Sequence, residues 1–178
     1  MNVPLSEQQE RIILKIGKMM LNFQNFERKL KAILATRDLQ GPIGELDTIS
    51  RTQHSSYAKT MLGLLAGELT RKAIRPTDGV EDELELPADH IRMTITLHLE
   101  PAELDAFKRQ LKTLVDDRNL LIHKFSEKFS LQEPDQWDAA EQFLDDLRAR
   151  FIPLNNRVDQ WISLLPNTLK ALHNAPSE

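Results

Sequence analysis

The chain has 178 residues, of which 40% are hydrophobic and 28% charged, with no cysteine and a formal net charge of −4. That is long enough for one domain with its own core and too apolar for a disordered segment, while no apolar run approaches the roughly 20 residues of a membrane-spanning helix. The missing cysteines exclude disulfides and thiolate chemistry, and the acidic balance argues against broad binding along a nucleic-acid backbone, leaving only a local basic cleft.

Taken in order, the N-terminal stretch MNVPLSEQQERIILK lacks a basic start, an apolar core and a small-residue cleavage site, so cytoplasmic residence is expected. A first long helix is expected from Ser6 to Arg37. Ile12, Ile16, Met19, Phe23, Phe26, Leu30 and Ile33 form its apolar stripe, widened by Ile13, Met20 and Leu34. Ser6 followed three residues later by Gln9 is the pattern of a capping box. Gly41-Pro42 and Gly44 end this helix and open a loop to about His54. A second helix is expected from about Ser55 to Ala73, carrying Tyr57, Met61, Leu62, Leu65 and Leu69. Gly63 and Gly67, one turn apart within it, read as a close approach of another helix, since glycine otherwise costs about 1 kcal/mol against alanine.

An acidic segment follows, with Asp78, Glu81, Asp82, Glu83, Glu85 and Asp89 broken by Pro76, Gly79 and Pro87. It lacks the Asp-x-Asp-x-Asp-Gly order and the distal glutamate of a calcium loop, so it reads as solvated chain. IRMTITLHLE then alternates strictly: Ile91, Met93, Ile95, Leu97 and Leu99 on one face; Arg92, Thr94, Thr96, His98 and Glu100 on the other. This predicts a strand, with Leu84 and Leu86 as a hairpin partner across Pro87 to His90. Such an insertion would cover one end of a bundle or reach a partner subunit.

Pro101 opens a helix expected to run to about Phe129. A last helical region from near Asp135 places Trp137, Ala140, Leu144, Leu147, Phe151, Leu154, Val158, Trp161 and Leu165 in three-four steps. Pro153 should kink or divide it, and Pro166 should mark its last stretch. The whole predicts a mainly all-α, up-and-down bundle of four to five helices, a single domain over 1–178, with a short strand or hairpin inserted before the helix that Pro101 opens.

One stretch of that helix, LVDDRNLLIHKF, departs from the pattern. Leu104, Phe107, Leu111, Leu114, Arg118, Leu121 and Phe125 form a core-facing stripe with an arginine in its middle. A guanidinium there must be paired or open onto a cleft, since burying an unpaired charge costs several kcal/mol. Glu27, on the border of the first helix's stripe, is a candidate partner. Asn119 and His123 share a face one turn apart, whereas Arg118 and His123 diverge by about 140° on an ideal helix. An arginine reaching round, an open cleft, or a twofold-related copy would reunite them.

The run RNLLIH resembles the Arg-x4-6-His signature of the HEPN superfamily (higher eukaryotes and prokaryotes nucleotide-binding domains), including its Arg-Asn opening. The resemblance covers the motif helix well and the helix order more loosely. It implies a HEPN-like bundle, a homodimer, and a metal-independent endoribonuclease of a toxin–antitoxin or phage-defence type. RNA would be cut by its own 2′-hydroxyl, leaving a cyclic phosphate. His123 would serve as general base or acid, imidazole being the side chain that ordinarily titrates near neutral pH. Arg118 would hold the scissile phosphate, and Asn119 would orient the phosphate or the imidazole. Asp116 and Asp117 flank these residues as tuning or solvated acids. The alternative is a non-catalytic interaction or ligand-binding module in which Arg118 pairs internally.

No metal or other cofactor is expected. His54, His90, His98 and His173 lack ligand spacing such as His-Glu-x-x-His. The sequence also has no Gly-rich phosphate loop, nucleophile-elbow serine or nucleotidyltransferase motif. An antitoxin or nucleotidyltransferase partner would be a separate polypeptide.

Overall fold

Ser6 sets the first boundary. Its backbone N–H donates to Gln9 Oε1 at 2.7 Å and its Oγ accepts from Gln9 N–H at 3.2 Å, closing the capping box. In this computed structural model, which describes residues 5–76, 87 and 89–173, helix α1 then runs Glu7–Thr36. Ile12, Met19, Phe23, Phe26, Leu30, Ile33 and Leu34 are buried, and Ile16 and Met20 are half-buried against them. Ile13, expected to widen the core stripe, is instead 44% exposed.

The chain after α1 is more ordered than its glycines and proline imply. Strand β1 (Asp38–Pro42) and a 3-10 turn (Ile43–Glu45) lead into α2 (Leu46–Ser56), where a loop was expected. Gly41 has φ +154°, and a Cβ on it would stand 2.5 Å from Ile49 Cδ1, so the absent side chain lets α2 cross close to the strand. The second helix, expected from about Ser55 to Ala73, starts only at Leu62, because α2 ends at Ser56. Ser55 and Ser56 turn their hydroxyls back onto the carbonyls of Thr52 and Gln53, a local alternative to continuing the helix. A turn follows before α3 (Leu62–Glu68), which runs into a π-helical turn (Leu69–Ala73).

The alternating segment also divides, at Ile95-Thr96. Strand β3 (His90–Thr94) pairs antiparallel with β1, Asp38 opposite Thr94 and Pro42 opposite His90. Strand β4 (Leu97–Leu99) pairs in parallel with β2 (Ile74–Pro76). The alternation therefore serves two partners far away in sequence, and the proposed hairpin residues Leu84 and Leu86 lie outside the described residues.

Helix α4 (Pro101–His123) ends six residues short of the expected Phe129; Lys124, at φ −131°, breaks it from α5 (Phe125–Lys128). After a 3-10 turn at Pro134–Gln136, α6 runs unbroken over Trp137–His173. Pro153 and Pro166 neither divide nor end it. Pro153 is exposed, as is Ala149, whose carbonyl loses its helical partner to that ring, so water can satisfy the carbonyl.

The core lies where α1, α4 and α6 meet, with α3 closing one side. α1 and α6 run parallel, tied by Arg11 to Glu141 at 3.4 Å, Lys15 to Asp145 at 2.8 Å and Lys29 to Asn155 at 2.9 Å. Phe151 meets Phe23 and Phe26 edge-on at 5.8 and 5.7 Å, and Phe107 meets Trp161 at 5.1 Å. α4 runs opposite to both long neighbours: Asp117 contacts Arg150 and Glu103 contacts Arg157. The molecule is a mainly helical bundle of six helices with two short two-stranded sheets inserted, among the described residues. None of those helices is long and apolar enough to cross a membrane.

Candidate functional site

Six of the seven stripe residues bury as the spacing dictates: Leu104, Phe107, Leu111, Leu114 and Leu121 on α4, and Phe125 on α5. Arg118 stands among them. Its side chain retains 19% exposure, Nη2 lies 3.7 Å from Glu27 Oε1 on α1, and Nη1 donates to Asn119 Oδ1 at 3.2 Å. Nε is buried with no hydrogen-bond partner. The arginine is thus drawn toward α1 within a single chain, as the internal pairing with Glu27 requires. Yet 3.7 Å exceeds hydrogen-bond reach, so the guanidinium keeps donor capacity.

Asn119 and His123 are exposed on the outer side of the same helix end. His123 is the last residue of α4. No hydrogen bond joins Arg118 to His123. The five-residue spacing keeps them apart as helix geometry predicts, with Asn119 bonded to the arginine and one turn from the histidine. One chain therefore presents Asn119 and His123 to solvent, with the half-buried Arg118 beside them.

Of the flanking acids, Asp117 accepts from Arg150 Nε at 2.8 Å and fastens α4 to α6, while Asp116 is exposed. His54 lies in the last turn of α2 and His90 begins β3, beside Asp89 at 2.8 Å, so neither sits in a loop; His98 is an exposed residue of β4. Among the described residues no cluster of three or more His, Asp or Glu could hold a metal ion.

Two concavities lie elsewhere. One of about 250 Å³ between α4 and α6 involves Glu103, Gln110, Pro153 and Arg157. The other, about 220 Å³ between α3 and α4, lies over Gly63, Gly67, Lys108 and Lys112. The close approach expected at the glycine pair is not what is found: a Cβ on Gly63 would rest at ordinary contact distance, 3.5 Å, from Val115 Cγ1, and one on Gly67 would meet nothing within 4 Å. Sequence reasoning did not find an exposed row on α1 containing Leu14 and Leu21. Its signal was available as a second three-four spacing beside the core stripe.

No protein-family model, curated protein or solved structure matches this chain. Fold and site together define a mainly helical domain that sets one arginine at the margin of its core, with an asparagine and a histidine displayed beside it.

Proposed function

We propose that this chain is a HEPN-like, metal-independent endoribonuclease that acts in the cytoplasm as a homodimer, of a toxin–antitoxin or phage-defence type. The observation that carries the reading is the incomplete satisfaction of Arg118. It stands at the core margin, 3.7 Å from its carboxylate, with Nε unpartnered and with Asn119 and His123 exposed beside it. A phosphate presents two oxygens to such a fork and gains charge in the transition state, which the guanidinium offsets.

The reaction needs no enzyme nucleophile. His123 takes the proton of the RNA 2′-hydroxyl as that oxygen attacks the adjacent phosphorus. The P–O5′ bond breaks and the departing 5′-oxygen receives a proton, leaving a 2′,3′-cyclic phosphate and a 5′-hydroxyl. Each chain supplies one imidazole beside the motif, so a dimer would bring a second for the opposite proton transfer. An antitoxin or nucleotidyltransferase would act from a separate polypeptide.

The test is cleavage of mixed RNAs in the presence of a metal chelator, with end-group analysis of the products. The wild type is expected to cut and leave cyclic phosphate, and His123→Ala to lose cutting by about 100-fold or more while retaining its helical circular dichroism. Wild-type protein, free of any antitoxin, that leaves all of them whole sinks the reading.

A second reading has its own observation. The Glu27–Arg118 pair forms inside one protomer, which is what a non-catalytic interaction or ligand-binding module would use to hold α1 against α4.

A further inference from the structure

We propose that α1 carries the self-association surface of this chain, pairing antiparallel with α1 of a second copy about a twofold axis between Gly17 and Leu21. The basis is a second seam on the helix. Glu10, Leu14, Gly17, Leu21, Gln24 and Arg28 follow one another in steps of four, three, four, three and four, and all six are exposed. This is the spacing of a helix-pairing seam. Leu14 is 57% and Leu21 61% exposed, with Ile13 on the flank at 44%. The helix has already buried its other stripe in the core, so folding of one chain leaves this face uncovered.

The charges identify the occupant as a second α1. Glu10 and Arg28 close the two ends of the row. Glu10 has no side-chain partner among the described residues, and Arg28 reaches only Asn25 on its own helix. An antiparallel register that sets Glu10 against the Arg28 of another copy also sets Leu14 against Gln24 and Gly17 against Leu21. Gly17, where an added Cβ would meet nothing within 4 Å, then receives the leucine of the second helix. A parallel register would instead oppose Glu10 to Glu10 and Arg28 to Arg28, which costs binding.

From Glu10 to Arg28 the row spans about 27 Å at 1.5 Å per residue. A single helix contact of that length falls short of the ~800 Å² per partner of a stable interface, so neighbouring surface must join. The surfaces that border α1 are α6 on one flank, through Arg11 and Lys15 to Glu141, and the levels of Arg118 and Leu131 on the other, beside Glu27 and Gln9. The α1 pairing draws its remaining area from these flanks. It stands on exposure and charge alone and does not depend on RNA cleavage.

The experiment is sedimentation equilibrium of the full chain without RNA, with circular dichroism as the check of folding. The wild type is expected to be a dimer at micromolar concentration. Leu14→Glu with Leu21→Glu should raise the dissociation constant more than about 100-fold with unchanged helicity. Glu10→Arg or Arg28→Glu alone should weaken the dimer about tenfold, and the two together should restore it. A monomeric wild type, a dimer indifferent to the leucine changes, or a double charge exchange that fails to restore association overturns the proposal. Because mass is the readout, a failure of RNA cleavage leaves these outcomes unaffected.

Discussion

At Arg118 the stretched contact with Glu27 lets one substitution separate the two functional readings. Both side chains keep about a fifth of their exposure, so solvent screens the pair and its worth is on the order of 1 kcal/mol, well below that of a fully buried one. Glu27→Gln should therefore lower stability by about 1 kcal/mol or less in urea unfolding. If Arg118 holds phosphate, the same change removes a competing anion. The His123→Ala protein should then bind a labelled RNA several-fold more tightly when Glu27 is also changed, as read by fluorescence anisotropy. Altered stability without altered binding supports the internal scaffold. A second residue gives a pH signature. Burial pushes the Asp38 carboxyl up, but the Arg92 guanidinium bonded to it at 3.0 and 3.2 Å, the nearby Arg37 charge and the Thr94 hydroxyl outweigh this and hold it below the usual range. A carboxyl lowered on folding contributes stability above its unfolded value, about pH 4, and loses it as pH falls through the lower folded value. Asp38→Asn should thus lower the melting temperature at pH 7, and the gap to wild type should narrow as the pH drops below about 4.

Two glycines show how the elements were set and how much of them the sequence disclosed. Gly63→Ala adds a Cβ at ordinary contact distance from Val115 inside helix α3, so better helix propensity should stabilise by about 0.5–1 kcal/mol. Gly41→Ala meets Ile49 on a strand at φ +154° and should destabilise by about 1 kcal/mol or more. Paired denaturant melts test the contrast, and equal effects at the two positions would contradict it. The stripes of α1, α4 and α6 were legible because a helix repeats its burial every three or four residues, and Leu104 to Leu121 and Ala140 to Trp161 bury accordingly. The capping box at Ser6 was equally local. The break after Ser56 was hidden because Tyr57 to Leu69 keep helical spacing through a turn. The strand partners were hidden because pairing Asp38 with Thr94 or Ile74 with Leu97 is a tertiary fact that alternation cannot specify. At the candidate site, Arg118 stood out from the spacing of its stripe, Asn119 and His123 came from the resemblance of RNLLIH, and Glu27 from its place on the border of a stripe. The separation of Arg118 from His123 followed from helix geometry. The outward row of α1 was missed although its three-four spacing was present: Ile13 was assigned to the core and Leu14 and Leu21 to no face at all.

On the scale of the whole molecule, α1 joins two tasks, burying one seam against α4 and α6 and presenting the other to solvent. If the outer seam is the dimer contact, dissociation and unfolding are linked, because whatever binds the native state alone raises its apparent stability with concentration. A hundredfold increase in protein concentration then adds about 2.7 kcal/mol per dimer. With an unfolding entropy of about 2 cal/mol/K per residue summed over both chains, the melting temperature should rise by roughly 3–4 °C over that range. Leu14→Glu with Leu21→Glu should remove this dependence and leave a melt that is the same at every concentration. The core residues on the opposite side of α1, such as Phe23 and Phe26, give the complementary case: truncating either should lower the melting temperature while leaving a concentration-dependent slope wherever the protein still folds. A wild-type melt that ignores concentration from low to high micromolar would mean that the exposed leucines of α1 contribute nothing to native stability through a second copy.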